Sequence, residues 1–218
     1  MCEAVGARLD LPAGGARPER VAPAPDVIPL ASQERDGEQV HLVVGWRGLS
    51  LDHDDRYTLH VANQILGGGS ASRLFQSIRE DRGLAYSVYS WVSSYSDAGL
   101  LAVYAGTSPG RSAELIETLD AELEGIVARG VTDEELRVAI GFLCGSTELG
   151  LEDSGSRMNR LGRMLLSTGQ VVSIDEQLER VRAVTADDVD RLLRQLLEGP
   201  RSVSAVGPVD TTSVAQAV

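Results

Sequence analysis

Within residues 38–106, the spacing between apolar side chains changes from two residues to four and back to two. In the segment EQVHLVVGW, which begins at Glu38, every second residue from Val40 onward is apolar, as in a strand that buries one face. The apolar residues that follow recur every four positions up to a run of three glycines. They predict a helix that begins near Asp52 or Asp54 and carries Tyr57, Val61 and Ile65. A fold that satisfies both periods has to pack helices against a sheet.

The glycines at 67–69 lead into further elements of both kinds. A second helix is predicted over 72–81, and Gly83 ends it because glycine adopts the left-handed conformation without strain. The segment 84–93, rich in Val, Tyr and Trp, and the segment 99–106 (GLLAVYAG) are predicted strands on either side of a polar turn region. We therefore expect these two segments to form an antiparallel pair of strands.

The region after residue 107 is mostly helical, and short polar motifs mark where its helices begin. Ser108 followed by Pro109 predicts the start of a helix over 109–129. Capping motifs precede three later helices, the first two with capping-box spacing: Thr132 with Glu135, Ser173 with Glu176, and Thr185 alone.

Further strands are predicted at 27–32 (VIPLAS) and 201–209 (RSVSAVGPV). Strands on both sides of a helical block, with a hairpin in the middle, predict an α+β fold: a mostly antiparallel β-sheet with helices packed on one face. The length of 218 residues suits one domain, which we assign to 26–208. Residues 1–25, rich in Ala, Pro and Gly, are predicted to be an irregular linker, and 209–218 a flexible tail.

The composition excludes several classes of function. All 20 basic residues are arginine, so a P-loop lysine and Schiff-base chemistry are both excluded. The net charge of −12 argues against nucleic acid as a partner. No apolar run approaches the ~18 residues of a membrane span and no export signal is visible, so no membrane partner is expected. Cys2 and Cys144 form no metal or redox spacing, and a reduced, cytoplasmic protein is predicted.

A catalytic metal site is not expected on this chain. Its three histidines are His41, His53 and His60. The last two would lie about 10 Å apart along one helix, too far to share a zinc ion whose nitrogen ligands lie at ~2 Å. Neither H-x-x-E-H nor H-E-x-x-H occurs, and the carboxylates cluster at predicted helix starts, where they complement the helix dipole.

The segment 66–91, LGGGSASRLFQSIREDRGLAYSVYSW, carries the most information about function. Ser72 stands where the third glycine of G-x-G-x-x-G belongs, so a dinucleotide-binding loop is not predicted. The residues around Ser70 do not form G-x-S-x-G either, which excludes a nucleophile elbow. A sharp turn between two helices would explain the glycines in structural terms.

An ordered set of motifs extends beyond this segment: 66–69 (LGGG), 72–75 (SRLF), 78–80 (IRE), 82–86 (RGLAY), 95–99 (YSDAG), 104–107 (YAGT), 157–163 (RMNRLGR) and 184–189 (VTADDV). Together they resemble the zinc metallopeptidases of the pitrilysin or insulinase type, most closely the branch that includes the mitochondrial processing peptidase. The resemblance covers roughly residues 26–208.

In that family, two homologous halves form one peptidase, and the zinc site lies in the first half on an H-x-x-E-H helix. The present chain resembles the second, C-terminal half only. The resemblance therefore implies that no catalytic residue and no metal ligand lies on this chain, and that zinc is expected in a partner half. The irregular residues 1–25 match the linker between the halves.

The resemblance also implies a site that holds the substrate backbone. The family's second half contributes an arginine and a tyrosine seven residues apart, and Arg79 and Tyr86 have this spacing inside the matching motif. A guanidinium and a phenol can donate hydrogen bonds to a peptide carbonyl and to the oxyanion formed from it. Spacing alone would favour an Arg79–Glu80 surface pair and a half-buried strand tyrosine. The family's glycine-rich loop, near the mouth of its chamber, corresponds to Gly67, Gly68 and Gly69.

Two functions are predicted. The first is the substrate-binding C-terminal half of a zinc-dependent metalloendopeptidase that hydrolyses peptides, acting with a zinc-bearing N-terminal half. The alternative is a catalytically inactive paralogue that serves as a peptide-binding or assembly subunit. The chain alone is predicted to be inactive under both. Its expected partners are the zinc-bearing half, a peptide and, in a possible homodimer, a second copy, since large apolar patches rarely stay bare.

Overall fold

The computed structural model describes residues 28–208, which form five strands and seven helices. The strands are β1 (Leu30–Glu34), β2 (Val40–Arg47), β3 (Ser87–Ser94), β4 (Gly99–Thr107) and β5 (Arg201–Gly207). The helices are α1 (Arg56–Leu66), α2 (Phe75–Asp81), α3 (Ser112–Arg129), α4 (Asp133–Gly150), α5 (Ser154–Thr168), α6 (Ile174–Arg182) and α7 (Ala186–Leu197), and a 3₁₀ turn, Pro109–Arg111, precedes α3.

The five strands form one sheet in the order β1-β5-β2-β4-β3. Three of the four neighbouring pairs are antiparallel, and only β1 and β5 run parallel. The hairpin of β3 and β4 pairs Tyr89 with Tyr104 across the strands. The first and last strands of the described chain are thus neighbours at one edge of the sheet.

The strands have one buried face and one open face. On β2, the side chains at alternate positions are at most 4% exposed, namely Val40, Leu42, Val44 and Trp46. His41 and Arg47, on the opposite face of the same strand, are exposed. The helices cover the buried face, where α1 and α7 supply large, fully buried side chains, among them Leu59, Leu66, Leu192 and Leu193. The predicted α+β fold, mostly antiparallel with helices on one face, is confirmed.

Most predicted helix starts have the expected caps. Thr132 and Glu135 form a complete capping box at α4, and the Ser173 hydroxyl accepts the N–H of Glu176 at α6. Thr185 caps α7, and Asp188 makes this cap reciprocal. Each cap satisfies backbone N–H groups that the first helical turn would otherwise leave without partners.

Three predicted elements differ in detail. The Ser108 side chain makes no capping hydrogen bond, and the chain enters α3 through the 3₁₀ turn. The second predicted helix is present, but α2 is wound as a π-helix, wider than an α-helix. The first strand begins at Leu30. The predicted linker 1–25 and tail 209–218 lie outside the described residues. None of the helices within 28–208 combines the length and apolar character needed to span a bilayer.

Candidate functional site

Arg79 lies near the C-terminal end of α2, with its side chain 46% exposed. Its guanidinium carbon lies 4.8 Å from the centre of the Phe75 ring, and its Nε lies 3.8 Å from a carboxylate oxygen of Glu80. An ion pair at this distance and exposure contributes little to stability. The aromatic ring therefore supports the arginine from one side, while the exposed part of its guanidinium can receive a hydrogen-bond acceptor.

A tight turn connects Arg79 to the next strand. Gly83 has φ of +56°, a conformation that favours glycine. The N–H of Gly83 donates to the carbonyl of Arg79 (3.1 Å), and the N–H of Leu84 donates to the carbonyl of Ile78 (2.8 Å). The predicted left-handed stop at Gly83 is confirmed, and the buried side chain of Leu84 anchors the chain directly after it.

Tyr86 follows this turn and lies directly before the first residue of β3. Its N–H donates to the carbonyl of Gly106 (2.9 Å), while the next residue, Ser87, is the register partner of the same glycine. Tyr86 thus bonds to Gly106 from outside the register of β3, and its side chain does not have to follow the alternation of the strand. Strict alternation would give Tyr86 the buried side of Val88, which is 4% exposed, but Tyr86 is 65% exposed.

Two contacts from the region of α3 hold the turn between Arg79 and Tyr86. The guanidinium of Arg111 donates to the carbonyls of Gly83 (2.7 Å) and Arg82 (3.1 Å). Arg82 in turn donates to the hydroxyl of Ser77, which donates to Glu122 (2.5 Å). Sequence reasoning did not identify Arg111 or Glu122, because both lie about 30 residues or more from the groups that they hold.

The glycine run lies beside the outer edge of β3. The carbonyl of Gly67 accepts the N–H of Ser90 (3.0 Å), and a Cβ atom at residue 67 would lie 2.6 Å from the same nitrogen. At Gly68, a Cβ atom would lie 2.7 Å from the backbone of Gln64, whereas at Gly69 it would meet only the flexible end of that side chain. Close backbone approach therefore explains the first two glycines, and none of the three has a positive φ.

The open face of the sheet carries an aromatic cluster that sequence reasoning did not predict: His41, Tyr89, Trp91 and Tyr104. The Tyr89 and Tyr104 rings are 5.1 Å apart, and the Tyr104 hydroxyl lies 2.7 Å from Nδ1 of His41. Burial raises the pKa of Tyr104, and the nearby Tyr89 acts in the same direction. The two-residue spacing of Tyr89 and Trp91, which places both on one face of a strand, was the available signal in the sequence.

Another arginine of the same motif fixes the start of the α2 segment. Arg73 forms a bidentate ion pair with Glu135 at the start of α4 and donates to the carbonyl of Gly130 (2.7 Å). Burial alone would raise the pKa of Glu135, but the hydrogen bonds from Arg73 and Thr132 outweigh it and hold the pKa at about 2. The carboxylate is therefore ionised over the ordinary pH range.

The histidines are not arranged as metal ligands. His41 bonds to Tyr104 on the open face, and His53 accepts the N–H of Asp55 (3.0 Å) beside the start of α1. Over residues 28–208, no group of three or more His, Cys, Asp or Glu side chains is placed to hold a metal ion. The described part of the chain thus does not fit a zinc ion.

Comparisons with known proteins agree with this fold. The family model described as "Peptidase M16 inactive domain" matches residues 10–142. An uncharacterised zinc protease of Streptomyces coelicolor is 42% identical over 91% of this chain and 42% of its own length. One of Bacillus subtilis is 39% identical over 81% of this chain and 43% of its own. The solved structure of a peptidase M16 inactive domain from Pseudomonas fluorescens superposes with a TM-score of 0.83 at 24% identity, over 95% of this chain and 50% of that one.

Fold and comparisons define the class of protein as one half-domain of a pitrilysin-type peptidase. The chain belongs to the peptidase M16 family and corresponds to its inactive, C-terminal domain. The resemblance stated from the sequence motifs, including its restriction to the second half, is confirmed. The chain spans about two fifths of the length of the curated relatives that it matches.

Proposed function

We propose that this chain is the substrate-binding second half of a zinc-dependent metalloendopeptidase, and that it acts with a zinc-bearing half on the same or another chain. One observation carries the proposal. Arg79 and Tyr86 are both substantially exposed. They lie at the two ends of a single turn that hydrogen bonds from Arg111 hold in place. The names of the relatives, which are zinc proteases, support the same reaction class.

The chemistry of the two side chains suits an extended peptide. The guanidinium of Arg79 donates to a backbone carbonyl of the substrate, and the phenol of Tyr86 donates to the same or an adjacent one. When water adds to the scissile carbonyl, negative charge develops on its oxygen, and fixed donors stabilise that charge without reorganising. Because Arg111 holds the carbonyls of Arg82 and Gly83, the turn between the two donors keeps its shape as the peptide binds.

The edge position of β3 also suits a peptide. The sheet ends at this strand, and the carbonyl of Gly67 accepts the N–H of Ser90 on its outer edge. We assign Gly67, Gly68 and Gly69 to the rim of the peptide path, where main-chain atoms can approach a substrate closely. Within this proposal, zinc belongs to the partner half, and a cytoplasmic location and a homodimer remain predictions.

The test mixes this chain with the part of the Streptomyces coelicolor relative that it does not match and follows cleavage of a quenched peptide. Arg79→Ala and Tyr86→Phe should each lower kcat/KM by ~10²–10³, the usual effect of losing one transition-state donor. Tyr95→Phe and Arg137→Ala are matched controls, because Tyr95 is 63% exposed and Arg137 forms only an exposed pair with Glu134.

The controls should stay within about twofold of the wild type, as expected for surface substitutions. Equal losses in the Tyr95→Phe control would show that the assay reports general damage. A mixture that binds peptide but does not cleave it would favour the alternative, a peptide-binding subunit without catalysis. Cleavage by this chain without its partner would contradict the assignment of the reaction to two halves.

A further inference from the structure

Helix α5 (Ser154–Thr168) turns a polar side toward its own domain. None of its residues is buried. Arg160 donates to the carbonyl of Val172 (2.8 Å) and to the side chain of Gln177 (3.0 Å), and Arg157 donates to the carbonyl of Leu151. An amphipathic helix of a monomeric domain normally turns its apolar side inward. In α5, Arg160 makes the inward contacts, whereas Arg157 lines the outward face.

The apolar side of α5 faces outward. Met158, Leu161 and Leu165 follow each other at steps of three and four residues, so they share one face of the helix. They are 66%, 47% and 59% exposed. Together with Val171, which is 51% exposed, they line an open groove of about 740 Å³. Contiguous exposed apolar side chains of this kind mark a surface that binds another macromolecule.

The charge of α5 is opposite to that of the chain as a whole. The helix contains three arginines and no acidic residue, whereas the chain has a net charge of −12. Within residues 28–208, Arg163 forms no ion pair with the rest of the domain. A partner that covers the groove therefore matches it best with an apolar centre and an acidic rim.

We propose that the α5 groove, defined by Met158, Leu161, Leu165 and Val171, docks onto the zinc-bearing half of the peptidase. The inference rests on the proposed function, which requires such a half. The Streptomyces coelicolor relative is matched over 42% of its length, so more than half of that protein remains to supply a partner surface. The isolated domain thus exposes the α5 groove, and the groove becomes buried when the two halves assemble.

Two other occupants fit the surface less well. Pairing α5 with α5 of a second copy would place Arg157 of each helix, which lines the groove, at the shared interface, with no acidic residue on either helix to compensate. A lipid surface is disfavoured because α5 contains no aromatic anchor and the chain's net charge would be repelled by anionic lipids.

The test measures binding of this chain to the unmatched part of the Streptomyces coelicolor relative by calorimetry. The variant is Leu161→Glu, and Asn159→Glu is the matched control, since it adds the same charge at an exposed position off the apolar stripe. We expect Leu161→Glu to weaken binding at least tenfold, because the variant loses the burial of a leucine and puts a charge into an apolar interface. The control should stay within about twofold. Leu161 is already half exposed, so the variant should unfold at the wild-type temperature.

A second measurement does not depend on separate chains. When the two parts are joined as one polypeptide, the amides of α5 should exchange hydrogen at least tenfold more slowly than in the isolated chain. Unchanged exchange in the joined protein, or wild-type affinity of Leu161→Glu, overturns the docking proposal. So does a wild-type dimer in sedimentation that Leu161→Glu dissociates, or wild-type binding to phosphatidylcholine–phosphatidylglycerol vesicles that the variant loses.

The docking proposal and the proposed function fail separately. Arg79→Ala and Tyr86→Phe should retain the wild-type affinity for the partner, because neither residue lies on α5. If those variants cleave peptide normally while Leu161→Glu fails to assemble, the peptide site is wrong and the docking surface stands. If Leu161→Glu assembles normally while Arg79→Ala abolishes cleavage, the docking surface is wrong and the peptide site stands.

Discussion

Helices α7 and α5 are both amphipathic, but their apolar residues meet different surroundings. In α7 the four apolar positions Val189, Leu192, Leu193 and Leu196 are buried against the sheet and neighbouring helices. In α5 no residue is buried, and Leu166 is 87% exposed. The apolar period of a sequence thus predicts a helix and a face that needs covering, but not which molecule covers it. We infer that α7 belongs to the scaffold and α5 to an assembly.

The largest expected difference between the two helices is in the effect of removing a leucine. Leu192→Ala in α7 should lower the free energy of unfolding by about 2–5 kcal/mol, because it leaves a cavity in a closely packed core. Leu161→Ala in α5 should change it by no more than about 0.5 kcal/mol. Urea unfolding of the isolated chain measures both. Equal losses would show that α5 is packed within its own domain.

Acid should weaken the packed region through Glu135. Its pKa is about 2 in the folded chain and 4.5 in the reference state, so its ion pair with Arg73 stabilises the fold above pH 4.5. This contribution, up to about 3 kcal/mol before screening by solvent, should disappear as the pH falls from about 5 to about 2. Urea unfolding of wild type and Glu135→Gln across this range should converge at low pH. A constant difference would contradict the assignment.

Two glycine substitutions test the difference between the packed region beside β3 and the exposed helix α5. Gly67→Ala should destabilise the chain by about 1–3 kcal/mol, because a Cβ atom there lies 2.6 Å from the backbone nitrogen of Ser90. Gly162→Ala in α5 meets no atom within 4 Å and should favour the helix by up to about 1 kcal/mol. Thermal unfolding and helicity by circular dichroism distinguish the two. A destabilising Gly162→Ala would reveal packing at α5 that the structure lacks.

Removing a helix cap should change the stability of the chain least among these substitutions. Thr185→Ala removes a reciprocal cap with Asp188 and should cost about 1 kcal/mol of global stability, since α7 unfolds only with the core. Asp153→Ala removes the hydrogen bond to the N–H of Ser156 at the start of α5. Because no residue of α5 is buried, we expect the helix to open without the core, so that its amides exchange faster while the global unfolding midpoint stays unchanged. A lowered midpoint in Asp153→Ala would mean that α5 unfolds with the core.

Local patterns in the sequence predicted the elements that depend on neighbouring residues. The alternation from Val40, the four-residue steps from Tyr57 and the capping box of Thr132 with Glu135 each involve residues a few positions apart, and the structure contains all of them. Gly83 was predictable for the same reason, since its positive φ serves a turn within its own segment.

The geometry of the candidate site was not predictable in this way. Tyr86 bonds to Gly106 from outside the register of β3, and the shape of its turn depends on Arg111, which is distant in the sequence. Arg79 and Tyr86 were identified only because their motif resembles a family. The outward face of α5 has the same apolar period as a buried helix, so its sequence alone gave no sign of exposure.

The central claim is that Arg79 and Tyr86 hold one peptide in an assembled peptidase. A double-mutant cycle on kcat/KM, measured with the zinc-bearing half present, tests it most directly. If both donors act on the same bound backbone, Arg79→Ala and Tyr86→Phe each lower the rate strongly, and the double variant loses clearly less than the product of the single losses. Single variants that cleave at the wild-type rate would contradict the claim.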